Sequence, residues 1–110
     1  MSSPVRVEVL CVGTELLSGK VNTHIGWIAR TLQGIGLFIA RETTLGDTVE
    51  EIRSGICEAL TRSRVLIICG GLGPTFDDLT REGAAQALGL TLSYHPELYT
   101  RIRGQVPAPL

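Results

Sequence analysis

Short apolar segments alternate with amphipathic helical segments along this chain, and this alternation limits the folds that are open to it. The three segments predicted to be strands are "VRVEVLCV" (5–12), "LFIARETTLG" (37–46) and "RVLIICGG" (64–71). Between and after them, apolar residues recur at the spacing of a helix. Strands that alternate with helices favour parallel pairing through right-handed crossovers. The sequence therefore predicts an α/β domain built on a mainly parallel sheet.

The predicted helices carry start signals that can be read from the sequence. Their predicted ranges are 22–36, 47–63 and about 78–88. Asn22 or Thr23 is a suitable cap for the first helix, and Thr48 with Glu51 forms a capping box at the second. A weak fourth strand is predicted over 90–94, and a short helix is expected to follow Pro96.

The predicted strands differ in hydrophobicity, although the sequence alone does not determine their order in the sheet. The second segment is the least uniformly apolar and suits an edge, whereas the third resembles a strand in the middle of a parallel sheet. If the second and third strands flank the first, a crevice opens between the carboxyl ends of strands one and three. Ligands usually bind at such a position. The loops "GTELLSG" (13–19) and "GGLGPTFDD" (70–78) would then line this crevice.

Composition and charge exclude several classes of function. The chain has 110 residues and a formal net charge of −1, which gives no electrostatic footprint for nucleic acid. It shows neither the layout of a signal peptide nor an apolar stretch long enough to span a membrane, so we expect one cytoplasmic domain over 1–110. The three cysteines lack the spacing of a zinc site or of a disulfide framework, and we expect them to be small buried residues in strands and a helix. No organic cofactor is evident, and self-association into a homo-oligomer is left open.

The glycine-rich loop has the composition of a phosphate-binding loop. Glycines let the backbone approach a ligand, and a helix N-terminus favours an anion. We expect Asp77 to cap the following helix, and Asp78 to contact a metal, a water or the ligand; the alternative is that both carboxylates only stabilise the helix start. The residues predicted to bind phosphate are Gly70, Gly71, Gly73, Pro74 and Thr75.

A second group of polar residues follows the first two predicted strands. Gly13, Thr14 and Glu15 come directly after the first strand, where a carboxylate can serve as a metal ligand, a general base or an acceptor for a ribose hydroxyl. Glu15 can equally well begin a short helical turn. Asp47, after the second strand, is either a ligand-site residue or a neighbour of the helix cap.

Common nucleotide and hydrolase motifs do not fit. "GTELLSGKV" has the wrong glycine spacing for a P-loop, and Val21 stands where a Ser or Thr would hold magnesium. "GGLGPTF" lacks the last glycine of a dinucleotide fingerprint. No Ser or Cys lies in the context of a nucleophile elbow.

Three blocks, in this order and spacing, carry a resemblance to a known family. They are "VGTELLSGKVNT" (12–23), "TTLGDTVEEI" (43–52) and "GGLGPTFDDLTREGAAQALG" (70–89). They resemble the N-terminal domain of the CinA (competence/damage-inducible) family, which has the MoaB/Mog molybdopterin-binding fold. The resemblance covers about residues 9–92 and implies a three-layer α/β/α domain. It also implies further strands and two further pocket loops that do not occur before Leu110, so we expect the domain to be incomplete at its C-terminus.

The resemblance also implies functions and site residues. In the molybdopterin-handling relatives, an aspartate that matches Asp78 acts in adenylyl transfer. A second functional aspartate matches Asp47, and Asn22 falls in a matching ligand-binding segment. In CinA-type domains the same crevice is linked to hydrolysis of ADP-ribose with a divalent metal ion. Three functions are therefore considered: an ADP-ribose pyrophosphatase in the intact protein, a non-catalytic binding module, and a molybdopterin adenylyltransferase. The last is disfavoured because Asp77 stands where the transferase pattern has Arg.

Overall fold

A computed structural model describes residues 5–105 and shows a three-stranded parallel sheet. Its strands are β1 (Val7–Val12), β2 (Ile39–Leu45) and β3 (Val65–Cys69), in the order β2-β1-β3. Both strand pairs are parallel, so all three carboxyl ends meet at one edge of the sheet. The predicted α/β class is confirmed, and so is the position of β1 between the other two strands.

Five helices accompany this sheet in the described residues: α1 (Thr14–Leu17), α2 (Thr23–Gln33), α3 (Val49–Arg62), α4 (Thr80–Leu88) and α5 (Pro96–Gln105). Helix α2 connects β1 to β2, and α3 connects β2 to β3 in the opposite lateral direction. With this strand order, crossovers of the usual right hand put α2 and α3 on opposite faces of the sheet. Within 5–105, no helix is both long and apolar enough to cross a bilayer.

The hydrophobic core lies between the sheet and helices α3 and α4. Leu10 and Val12 of β1 pack against Ile52 and Ile56 of α3, and all four are at most 3% exposed. The residues of β1 that alternate with these point to the other face of the sheet. All six residues of the strand are buried. Partly buried side chains surround this core: Leu45, Leu66, Ile68, Leu79, Ala84 and Ala87.

One charged residue, Glu8, is completely buried on β1. Its two carboxylate oxygens accept hydrogen bonds from Nε and Nη2 of Arg62, each at 2.9 Å. Oε2 also accepts from the Ser63 hydroxyl at 2.5 Å and from Nε of Arg6 at 3.4 Å. These donors, Arg62 first, lower the pKa of Glu8 to about 2, although burial acts in the opposite direction. Glu8 is therefore ionised and fully paired.

The predicted start of α4 and its cap are wrong. Helix α4 begins at Thr80, its N-cap is Leu79, and no side chain caps it. The Asp77 carboxylate is engaged instead with the hydroxyl of Thr75, in the preceding loop. A local side-chain contact of this kind competes with helical backbone geometry, which explains why the helix starts later than predicted.

Strand β3 does not lie in the middle of the described sheet, and the predicted fourth strand is absent from it. Residues 90–95 form no strand, so β3 pairs with β1 alone. As a consequence, Val65 is 41% exposed and the rest of β3 is half-buried. The short helix predicted after Pro96 is present as α5.

Candidate functional site

A cavity of about 140 Å³ opens between the carboxyl ends of β1 and β3. Three of the residues singled out in the sequence, Glu15, Asn22 and Gly70, line it. Two larger depressions, of about 350 and 670 Å³, lie beside β2 and α3 and at the amino edge of the sheet, away from the glycine-rich loop. The complete lining of the smaller cavity is Cys11, Val12, Glu15, Leu16, Lys20, Val21, Asn22, Thr23, His24, Cys69 and Gly70.

The glycine-rich loop leaves β3 through two residues that require glycine. Gly70 and Gly71 have φ angles of +88° and +67°. A Cβ on Gly70 would lie 2.2 Å from the carbonyl oxygen of Val12, and one on Gly71 would lie 2.1 Å from Oγ1 of Thr80. Thr80 fixes this turn, because its hydroxyl donates to the Gly70 carbonyl at 2.7 Å and its N–H donates to the Gly71 carbonyl at 3.1 Å. The loop backbone is therefore held against β1 and the start of α4.

The rest of the loop is organised around Asp78. Its Oδ2 accepts a hydrogen bond from the N–H of Thr75 at 3.0 Å, and the Thr75 hydroxyl is close to both Asp77 and Asp78. These bonds from Thr75 lower the pKa of Asp78. Asp78 is consequently ionised at neutral pH, which suits it to bind a cation or a donor and makes it a weak general base. Gly73 lies against the same carboxylate, because a Cβ added to Gly73 would lie 2.8 Å from Oδ2 of Asp78.

Two reciprocal hydrogen bonds join the loop after β1 to the loop after β2. The N–H of Thr14 donates to Oδ2 of Asp47 at 3.0 Å, and the N–H of Asp47 donates to Oγ1 of Thr14 at 3.3 Å. Gly13, which is buried, also donates its N–H to the carbonyl of Leu45 at 2.9 Å. Asp47 thus holds the two loops together, a structural role that its position before Thr48 did not reveal.

Helix α2 presents its N-terminus to the cavity. The side chain of Asn22 is the cap, with Oδ1 accepting from the N–H groups of His24 at 3.2 Å and Ile25 at 3.3 Å. Lys20 and His24 line the cavity beside it. Neither residue is among those predicted from the sequence, although Lys20 is the single lysine of the chain and directly follows the loop 13–19.

The structure thus distributes the predicted site residues over three groups at the carboxyl edge. Glu15, Asn22 and Gly70 share the cavity. Thr14 and Asp47 pair with each other, and the third group is the loop segment 71–78. Among residues 5–105, no three His, Cys, Asp or Glu side chains are grouped so that they could hold a metal ion.

Comparison with known proteins identifies the family. Residues 8–110 match the family model described as "Probable molybdopterin binding domain". The chain belongs to this family. The chain is also 47% identical, over 103 residues, to a CinA-like protein of Prochlorococcus marinus strain MIT 9313. That match covers 93% of this chain and 24% of the relative, so the domain spans about a quarter of the length of the curated relatives it matches.

Solved structures agree with this assignment. The chain superposes on CinA from Thermoplasma acidophilum with a TM-score of 0.86 and 34% identity, covering 94% of this chain and 62% of that one. Its fold also matches MoaB from Thermus thermophilus, with a TM-score of 0.64 and 21% identity over 74% of this chain and 54% of MoaB. The resemblance to a CinA-type domain with a MoaB/Mog-like fold is confirmed.

Proposed function

We propose that this chain binds a small phosphate-bearing molecule, a pterin or a nucleotide, in the cavity between β1 and β3. The observation that carries the proposal is the meeting of the Gly70 backbone and the N-terminus of α2 at this cavity. It lies at the switch point of the sheet, between two strands whose following helices are on opposite faces. The family membership supports a pterin-like ligand.

The chemistry of the lining favours an anion. Helix α2 has 11 residues, and its dipole places a partial positive charge at its N-terminus, although Oδ1 of Asn22 already accepts the N–H groups of His24 and Ile25. Lys20 adds a full positive charge at the cavity, and Gly70 lets the backbone come close to a ligand. Glu15 is the single acidic residue in the lining and is suited to accept a hydrogen bond from a hydroxyl or a ring N–H of the ligand.

Titration calorimetry of the chain with ADP-ribose and with a phosphorylated pterin tests this proposal. We expect saturable binding that is weakened about fivefold in Lys20→Gln, since one exposed charge–phosphate contact contributes on the order of 1 kcal/mol. Arg30→Gln is the matched control, because Arg30 is a cation in the last turn of α2, away from the cavity. If neither ligand binds, or if both variants lose affinity equally, the proposed site is wrong.

We further propose that the intact protein hydrolyses the pyrophosphate of ADP-ribose with a divalent metal ion. Asp78 and Asp47 are the candidate catalytic residues, and the ionised state of Asp78 supports an electrostatic role. Over the described range 5–105, no three His, Cys, Asp or Glu side chains are grouped so that they could bind the metal ion, so we assign no residue of this chain as its ligand. The test measures AMP released by the intact protein, with and without a divalent ion, and in Asp78→Asn. AMP release that is unchanged in Asp78→Asn contradicts the role of this aspartate.

A non-catalytic binding module is the second candidate function. The observation that favours it is that Asp47 and Asp78 each accept a loop N–H, which gives both carboxylates a structural reason to be present. This candidate predicts saturable binding of the same ligands without product. Binding of a phosphorylated pterin together with transfer of AMP from ATP would instead support an adenylyltransferase.

A further inference from the structure

Two cysteines lie side by side on the floor of the cavity. Cys11 of β1 and Cys69 of β3 are register partners in the parallel pair, and both line the cavity. Neighbouring strands are about 4.8 Å apart, and the Cα atoms of a disulfide are usually about 4.4–6.8 Å apart. Register partners also project to the same face of a sheet. The spacing of these two residues is therefore compatible with a covalent bond between them.

The third cysteine is remote from this pair. Cys57 lies on α3, where its thiol is directed at the carbonyl of Ala87 in α4, at 3.9 Å. Helices α3 and α4 cover the face of β1 that carries Leu10 and Val12. Because side chains alternate along a strand, Cys11 projects to the opposite face. Cys57 thus provides an internal control for any reaction of the pair.

We propose that Cys11 and Cys69 form a reversible disulfide across β1 and β3, so that the floor of the cavity is a site of thiol–disulfide exchange. The co-reactant is a small disulfide. Cys69, the more exposed of the two, attacks one of its sulfurs as a thiolate and expels the other half as a thiolate. Cys11 then attacks the Cys69 sulfur of this mixed disulfide and expels the second half. The protons of the two protein thiols end on the two released thiols, and two electrons pass from the protein to the small disulfide.

The surroundings set the conditions for this reaction. Burial is the main cause that raises the pKa of both thiols, that of Cys11 to about 11. Both cysteines are therefore protonated at neutral pH, and exchange is slow there because the thiolate is the attacking species. An alkaline buffer and a compact reagent such as cystamine are appropriate for the test.

The experiment incubates the chain with excess cystamine, blocks the remaining thiols by alkylation, and measures the intact mass and the cross-linked peptides. We expect a Cys11–Cys69 cross-link, the loss of two hydrogen atoms from the protein mass, and full reversal by dithiothreitol. Cys57→Ser keeps this product. Cys11→Ser stops at a mixed disulfide on Cys69, because the resolving thiol is missing.

Two results would overturn the proposal. One is wild-type chain that carries only stable mixed disulfides and no internal cross-link. The other is a cross-link that requires Cys57 and disappears in Cys57→Ser. Since the readout is a mass, the result does not depend on whether phosphate-bearing ligands bind to the cavity.

Discussion

The two ends of strand β1 use charged residues in different ways. Towards its amino end, Glu8 is completely buried, and its partners Arg62, Ser63 and Arg6 fill the space around its two oxygens. Near the carboxyl end of β1, Asp47 lies in the loop after β2 and Asp78 in the loop after β3. Both residues are at least partly open to solvent. Their hydrogen bonds come mainly from loop N–H groups and the Thr75 hydroxyl rather than from cations. Glu8, the most strongly paired of these carboxylates, is thus the one that no ligand can reach.

This difference separates a structural carboxylate from a candidate functional one. Breaking the ion pairs of a buried carboxylate destabilises the fold, and a carboxylate that is completely buried is not accessible to a reacting molecule. An ionised carboxylate held by backbone donors is fixed in position and still accessible. By this criterion Asp78 remains the best candidate for chemistry, and Glu8, despite its lowered pKa, does not.

The largest effect is expected at the amino end of β1. Glu8→Gln removes a buried charge and leaves Arg62 without its partner, which we expect to reduce the free energy of unfolding by about 3 kcal/mol. The measurement is the midpoint of urea unfolding. Glu50→Gln is the matched control, because Glu50 forms an exposed ion pair with Arg53 on α3. Comparable losses in the two variants would contradict the distinction between the buried pair and the exposed pair.

The pH dependence of stability tests the same ion pair without a change in sequence. The pKa of Glu8 is about 2 in the folded chain, against 4.5 for an ordinary glutamate. A carboxylate with a lowered pKa contributes stability that is fully present above pH 4.5 and is lost as the pH falls towards 2. We expect the urea midpoint to fall over this range, and to fall less in Glu8→Gln. A midpoint that responds identically to pH in both proteins would exclude Glu8 as the cause.

Much of the fold could be predicted from the sequence, because local patterns encode it. The alternating and then continuous apolar residues of β1 and the Thr48 capping signal both specified their elements. The start of α4 was mispredicted because the contact of Asp77 with Thr75 is a loop interaction, which competes with the capping role of an Asp. Strand β3 was expected in the middle of the sheet but lies at the edge of the described sheet. Its apolar composition shows how much surface it can bury, whereas its position depends on which strands pair with it.

The candidate site was predictable only in part. Glycines and carboxylates after the strands drew attention to loops that the structure brings to one edge of the sheet. The cavity also contains Lys20 and the pair of Cys11 and Cys69, which come together because β1 and β3 are neighbours in register. Spacing along the chain does not contain that information.

Near the carboxyl end of β1, the backbone of Gly70 lies so close to Val12 that it leaves no space for a side chain. Gly70→Ala places a Cβ 2.2 Å from the carbonyl oxygen of Val12 on a residue with φ of +88°. We expect a loss of about 2 kcal/mol in the free energy of unfolding, from the unfavourable φ and the contact together. Gly89→Ala is the control, because it has a similar φ of +66° with no atom within 4 Å of an added Cβ. If Gly89→Ala costs as much, the close approach to Val12 has no energetic consequence.

The smallest effect is expected for the hydrogen bonds between the loops after β1 and β2. Asp47→Ala removes the acceptor of the Thr14 N–H, and a single partly exposed hydrogen bond contributes about 1 kcal/mol. We therefore expect a loss of this size in unfolding, together with faster hydrogen exchange of the Thr14 amide. Asp77→Ala is a suitable comparison, because its carboxylate is exposed and contacts only a residue of its own loop. If Asp47→Ala abolishes ligand binding while the Thr14 amide stays as protected as in the wild type, Asp47 contacts the ligand directly. If the protection of the Thr14 amide and the affinity for ligand fall together, Asp47 acts by holding the two loops in place. Glu8 would then be a buried carboxylate that fixes the fold, and Asp47 a partly exposed one that positions the loops of the cavity.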